Sequence, residues 1–330
     1  MERQFDSGWV GAGADDDLDR RLAAEAATDP FDLTRPHVMT ALGPIAPDEL
    51  GPTLAWERVA ARPPEDPDPD LVLDDPNALL AELEDLYNAG GRGIVDATGP
   101  AAGRDAATAV WAAARAPVHV VLATGDGAPR QDDEDLAAAM IRELTVGIDG
   151  TAARAGAIVV DVPSGPPAPH EAATMRAAAA AALATGAPLL LWAPSGAPGA
   201  LDLFEAAGVA PARVTVGGLD PKAGGDLAAI LDRGAFVTLA RGAAATAASD
   251  EALATLIARL LAVGLGGRLL LASGLHRRAH LRAYGGGPGW VGLMERLPLA
   301  LMAAGLDAAA VRRLMSETPA QALTIGGRTE

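Results

Sequence analysis

The chain has 330 residues, half of them hydrophobic, which suffices for one large core of the kind that α/β barrels build from about 250 residues. It contains no cysteine, which excludes disulfides, thiolate metal sites and a cysteine nucleophile and suits a reducing cytoplasm. A formal net charge of -17 repels phosphate backbones and anionic membrane surfaces, arguing against nucleic-acid or lipid binding.

Residues 1–35 are acidic and weakly periodic and read as a mobile or peripheral arm. Their opening, MERQFDSGWVGAGADDDLDRR, lacks the basic flank and apolar run of a secretory signal. Charges, Pro or Gly interrupt every apolar stretch before it reaches membrane-spanning length. Residues 36–330 read as a single domain in which short Val/Leu/Ile runs alternate with longer Ala-rich stretches, the pattern of repeated βα units around a parallel sheet.

In chain order the strand-like runs are Thr53–Trp56, Gly93–Thr98, Val118–Thr124, Ala157–Val162, Pro188–Ala193, Val214–Leu219, Phe236–Arg241 and Arg268–Gly274. Eight is the number of strands in a (β/α)8 TIM barrel. Amphipathic helices such as NALLAELEDLYNAG and HEAATMRAAAAAALATG lie between them, each ending near a Gly suited to a C-terminal cap. The segment RPPEDPDPDLVLDDP, Arg62 to Pro76, is too rich in Pro and Asp for helix or strand. It is expected to be a loop after strand one, most of it solvated linker.

The phrase TALGPIAPDELGPTLAWERV (Thr40–Val59) resembles the opening of phosphotriesterase-like proteins of the amidohydrolase superfamily. GGRGIVDATGPAAGRD, GIDGTAARAGAI, TGAPLLLW, ARVTVGGLD, RLLLASG and YGGGPGW then follow in family order, far more specific together than one short pattern. The resemblance implies an amidohydrolase-like TIM barrel with its site at the C-terminal strand ends. It also implies where two metal ions would be held: a His-x-His pair on strand one, a carboxylated lysine or glutamate on strand four, histidines on strands five and six, and an aspartate on strand eight. The matching positions here are Trp56, Arg58, Val159, Trp192, Gly218 and Gly274. Metal ligation needs imidazole nitrogens or carboxylate oxygens at about 2.0–2.2 Å, which none of these residues offers. The expectation is therefore no metal, no cofactor and no metal-activated water.

Two small-to-large replacements, Trp56 and Trp192, accompany two large-to-small ones, Gly218 and Gly274. Either the indoles fill the vacated space, as close packing favours, or the changes are independent losses. Strand alternation sends Arg58 inward with Trp56 and Glu57 toward the helices. By the same parity Asp161, Asp220 and His276 share the active face. Arg58 suits a ligand carboxylate or phosphate, or else a structural ion pair with Asp161 or Asp220. Arg277 and Arg278 belong to the basic cluster His276–Arg282, which reads as an anion-attracting lid or as a surface stripe paired with acidic loops. Trp290 closes the Gly-rich run. Asp96, Arg104 and Asp105 match positions that look structural, and Asp126 has no evident partner. His37, His119 and His170 show no metal-binding spacing, and Ser164, Ser195 and Ser273 lack a Gly-x-Ser-x-Gly turn.

The leading expectation is a metal-independent small-molecule site, with Arg58 on an anionic group, Asp161 or Asp220 as general base and His276 as proton donor. Trp56, Trp192, Arg277, Arg278 and Trp290 would contact the ligand. Hydrolase, lyase, isomerase and cyclase chemistry all remain compatible. The alternative is a catalytically inactive paralogue that partners an active relative, as a homodimer or heterodimer on the family's dimer surface.

Overall fold

A computed structural model of the chain describes residues 32–64, 68–128, 135–163, 165–220, 224–242 and 246–326. The chain divides into two units, Met1–Leu33 and Thr34–Glu330, and the architecture described is that of the second. The acidic arm, apart from residues 32–35, lies outside the described residues, as does Ser164.

A short antiparallel hairpin, β1 (Val38–Thr40) and β2 (Gly43–Ile45), precedes eight parallel strands: β3 (Thr53–Glu57), β4 (Gly93–Asp96), β5 (His119–Gly125), β6 (Ala157–Asp161), β7 (Leu189–Trp192), β8 (Val214–Gly217), β9 (Phe236–Ala240) and β10 (Leu269–Ala272). They neighbour one another in chain order, and β10 comes round to lie beside β3. This is the (β/α)8 barrel that the apolar runs predict, with strand ends shifted by one or two residues.

Alternation along each strand separates two cores. On β6, Ile158 and Val160 face the helical layer, while Ala157 and Val159 point into the barrel with Val95, Val121, Ala123 and Leu190. The lower end is plugged, because Val38, Leu50, Ala320 and Leu323 join that interior cluster. The upper mouth, at the C-terminal ends of the strands, holds the polar residues.

Side-chain caps start several of the surrounding helices. Asp75 accepts from the Asn77 and Ala78 amides at the helix Pro76–Asn88, and Asp105 accepts from Thr108 at Ala106–Ala113. Each such cap contributes about 1 kcal/mol. The longest helix, Pro169–Thr185, buries Ala178, Ala179, Ala181 and Ala182 against the sheet and stops at Gly186, whose φ of 74° needs no Cβ accommodation.

Under the loop after β4, Arg104 is buried and saturated. It donates to both Glu143 oxygens at 3.0 and 2.8 Å, to both Asp149 oxygens at 3.1 and 2.9 Å and to the Ala123 carbonyl at 2.6 Å. Asp96, also buried, accepts from the amides of Val59, Ala60 and Thr98. These residues are structural, as their positions in the sequence imply. Among the described residues no helix is long and apolar enough to cross a membrane.

Candidate active site

The mouth is shaped first by an irregularity in β3. Leu54 pairs with Ile94, but Glu57 pairs with Asp96, so one extra residue is fitted into β3 between them. Simple alternation fails across this bulge, and Trp56, Glu57 and Arg58 all line the same cavity of about 370 Å³. Its other walls include Thr98 after β4, Asp161 at the end of β6, Trp192 at the end of β7, and Gly274 and His276 after β10.

Glu57 is the residue that alternation misplaces. Instead of facing the helices it bridges the seam between first and last strands, accepting from the Ser273 amide and hydroxyl, both at 2.5 Å, and from the Leu275 amide at 3.4 Å. Burial pushes its pKa up to about 7, with the Ser273 and Leu275 hydrogen bonds opposing the shift. The sequence signal that was available is the Glu between two positions that the resemblance assigns to the site.

Arg58 and Asp161 face the cavity from opposite walls. No hydrogen bond or ion pair joins either side chain to a described residue, so the ion pair weighed for Arg58 with Asp161 or Asp220 does not form among them. Burial draws the Arg58 pKa down, while the charges of Asp96 and Asp161 counteract this. Asp161 is reached by solvent through the cavity yet has protein around most of it, and that desolvation raises its pKa against the pull of Arg58.

Asp161 also borders a second cavity of about 200 Å³, shared with Asp126, Val159, His170 and Glu171. His170 and Asp126, unremarkable as separate residues in the sequence, therefore meet one space. Val159, the position matched to the family's strand-four ligand, lines this second cavity. It is Asp161, level with Trp192 in the β6–β7 ladder, that reaches the main one.

The indoles of Trp56 and Trp192 stand 5.8 Å apart at 48°. Glycine makes room for both: a Cβ at Gly217 would lie 3.0 Å from the Trp56 ring, and one at Gly218, where φ is +84°, 3.0 Å from the Trp192 ring. A side chain at Gly218 would thus crowd an indole, whereas a Cβ added at Gly274 would meet Ala240 instead.

The basic cluster does not form an open lid. Arg277 pairs with Asp68 at 2.5 Å and Asp70 at 3.4 Å, and Arg278 pairs with Asp74 at 2.9 Å while donating to the Val72 carbonyl. The Ala279 amide adds a bond to Asp70. Arg277 and Arg278, expected at the ligand, instead clasp the acidic loop after β3, because carboxylates lie within reach there and outside the cavity wall. That loop is correspondingly more than a solvated linker. His276 keeps its place at the cavity, its Nδ1 3.3 Å from the Gly274 carbonyl and its ring edge-on to His280 at 5.3 Å.

Two further residues lie away from these cavities. Asp220 is exposed and is not among the residues lining either of the two. Trp290 is fully buried in the outer core at the start of the helix Val291–Ala303, where a large apolar ring gains most by leaving water. Its amide, with that of Ala283, is held by the Glu82 carboxylate, which seats the Gly-rich loop. Among the described residues no group of three or more His, Cys, Asp or Glu side chains is placed to hold a metal ion.

Eight parallel strands, intervening helices and a site confined to the C-terminal strand ends make this chain a (β/α)8 barrel of the kind in which loops carry the chemistry. Its residues 36–323 match the profile of the Phosphotriesterase family, and the chain belongs to that family. It is 30% identical over 264 residues to the Phosphotriesterase homology protein of Escherichia coli (strain K12), covering 76% of this chain and 90% of that protein. The crystal structure of the phosphotriesterase homology protein from Escherichia coli complexed with phosphate in its active site superposes with a TM-score of 0.73. The identity is 28%, covering 84% of this chain and 99% of that one. The lactonase Lmo2620 from Listeria monocytogenes has a TM-score of 0.79 at 23% identity, covering 88% of this chain and 100% of that chain, which carries the fold alone.

Proposed function

We propose that this barrel binds a small anionic molecule at its mouth and acts on it by proton transfer, without the metal pair of its family. The observation that carries this reading is Arg58, a cation facing a cavity of about 370 Å³ with no anionic partner among the described residues. The family's two ions do not fit the donors at hand: indoles at Trp56 and Trp192, a guanidinium at Arg58 and no side chain at Gly218 or Gly274. Of the two carboxylates lining the cavity, Glu57 is taken up by Ser273 and Leu275, and Asp161 faces a guanidinium.

In this scheme Arg58 grips the anionic group in two parallel N–H···O bonds. Asp161, made more basic by partial burial, takes a proton from the bound molecule, and His276 across the cavity returns one. Phosphate in the active site of the Escherichia coli relative supports an anion at this end of the barrel. An open mouth lined by a base, a cation and an imidazole favours a working site over the inactive-partner alternative. The absence of cysteine is in keeping with a cytoplasmic location.

Two measurements test the reading. Elemental analysis of purified protein should return far less than one equivalent of zinc, manganese or iron per chain. Calorimetric titration with inorganic phosphate should show binding that falls at least tenfold in Arg58→Ala. Two tightly held metal equivalents, or an unchanged Arg58→Ala titration, overturn it.

A further inference from the structure

We infer that the molecule held here is a monocarboxylate with a flat aromatic or conjugated body rather than a phosphate ester, an inference that rests on the anion site proposed above. Charge is the first ground. Among the described residues, Arg277 and Arg278 beside the mouth are committed to Asp68, Asp70 and Asp74, and Arg241 to Asp250. Among the described guanidiniums Arg58 is the one that lines the cavity without such a pair, and it is enough for the two oxygens of a carboxylate. A phosphate monoester brings close to two negative charges and three acceptor oxygens, and Asp161 on the opposite wall, with Asp126 behind it, repels the surplus. Like charges brought together in a partly desolvated site cost more than in water.

Shape is the second ground. The chain is only 3% aromatic, yet two of its 5 tryptophans meet at this one cavity. The Trp56 and Trp192 rings lie back against the bare backbone of Gly217 and Gly218. Trp192 remains 36% exposed, the one aromatic among the exposed large hydrophobic side chains of the described residues. An exposed indole at the mouth is a stacking surface, and aromatic pairs prefer centroid separations of about 4.5–7 Å. A cavity of about 370 Å³ lies at the small end of ligand pockets, sized for one or two rings.

The test is a calorimetric series on the intact protein with 2-naphthoate, 2-naphthyl phosphate, cyclohexanecarboxylate and inorganic phosphate, repeated on Arg58→Ala and Trp192→Leu. The expected result is naphthoate binding at least tenfold tighter than each other probe, weakened at least tenfold by Arg58→Ala and at least fivefold by Trp192→Leu. Naphthyl phosphate binding as well as naphthoate overturns the carboxylate assignment while leaving the anion site standing. Cyclohexanecarboxylate binding as well as naphthoate overturns the flat body. If no anionic probe binds wild type, the proposed site falls along with the ligand class. The wild-type series decides these outcomes even if a variant fails to fold.

Discussion

Arg104 and Arg58 are both withdrawn from bulk water, and their surroundings could hardly differ more. Arg104 donates to two carboxylates and a carbonyl, every bond between 2.6 and 3.1 Å. Arg58, at the mouth, has burial depressing its pKa and carboxylates acting on it only from a distance. A guanidinium surrounded by acceptors holds elements of the fold together, and one left without them is available to something outside the chain. In the function proposed above, the same residue type is structural in one place and ligand-binding in the other because of what the neighbouring loops supply.

Breaking each side of this comparison should give effects of different size and kind. The largest is expected for Arg104→Met, which strands Glu143 and Asp149 beneath the β4 loop. Urea unfolding should show a loss of about 3–5 kcal/mol, the cost of breaking one partner out of a buried charge pair. Next comes Glu57. Its folded pKa of about 7 lies above the ordinary glutamate value of 4.5, so its contribution to stability is full below pH 4.5 and is lost as pH rises to about 7. Glu57→Gln should remove that dependence. The wild-type minus variant stability should fall by about 1.4 kcal/mol per pH unit across that window, on the order of 3 kcal/mol in all, and stay level above it. A parallel pair of curves would contradict the assignment.

Arg58→Ala sharpens the contrast with Arg104: its melting temperature should match or exceed that of wild type, since removing an unpaired, partly desolvated cation removes a cost. A fall of several degrees would mean that Arg58 is structural after all. The smallest effect is expected at the rim, where Arg277→Ala breaks exposed pairs with Asp68 and Asp70. Any loss of thermal stability at low ionic strength should disappear in concentrated salt, because exposed pairs are screened there.

The barrel was legible because each strand is a dense apolar run and each crossover is long and Ala-rich, so local composition carries the topology. The site was legible only in part. Arg58, Trp56, Trp192, Asp161 and His276 all line one cavity; parity accounts for Asp161 on the regular β6, while Trp56 and Arg58 reach it beside the bulge in β3. Glu57 escaped because a bulge in β3 breaks the parity on which its placement rested. The clasp of Arg277 and Arg278 joins residues more than 200 positions apart, a pairing that no local pattern encodes. Trp290 illustrates the reverse limit: a tryptophan after a Gly-rich turn looks the same in sequence whether it meets a ligand or the inner side of a helix.

The glycines beneath the indoles also limit how this mouth can evolve. A histidine introduced at 218 would bring its Cβ to 3.0 Å from the Trp192 ring, on a backbone whose φ of +84° disfavours any side chain. Trp192 would have to give way by a few tenths of an ångström, and the Gly218 backbone would have to change its conformation as well. A histidine at this position is therefore opposed twice, by the ring above it and by the backbone beneath it.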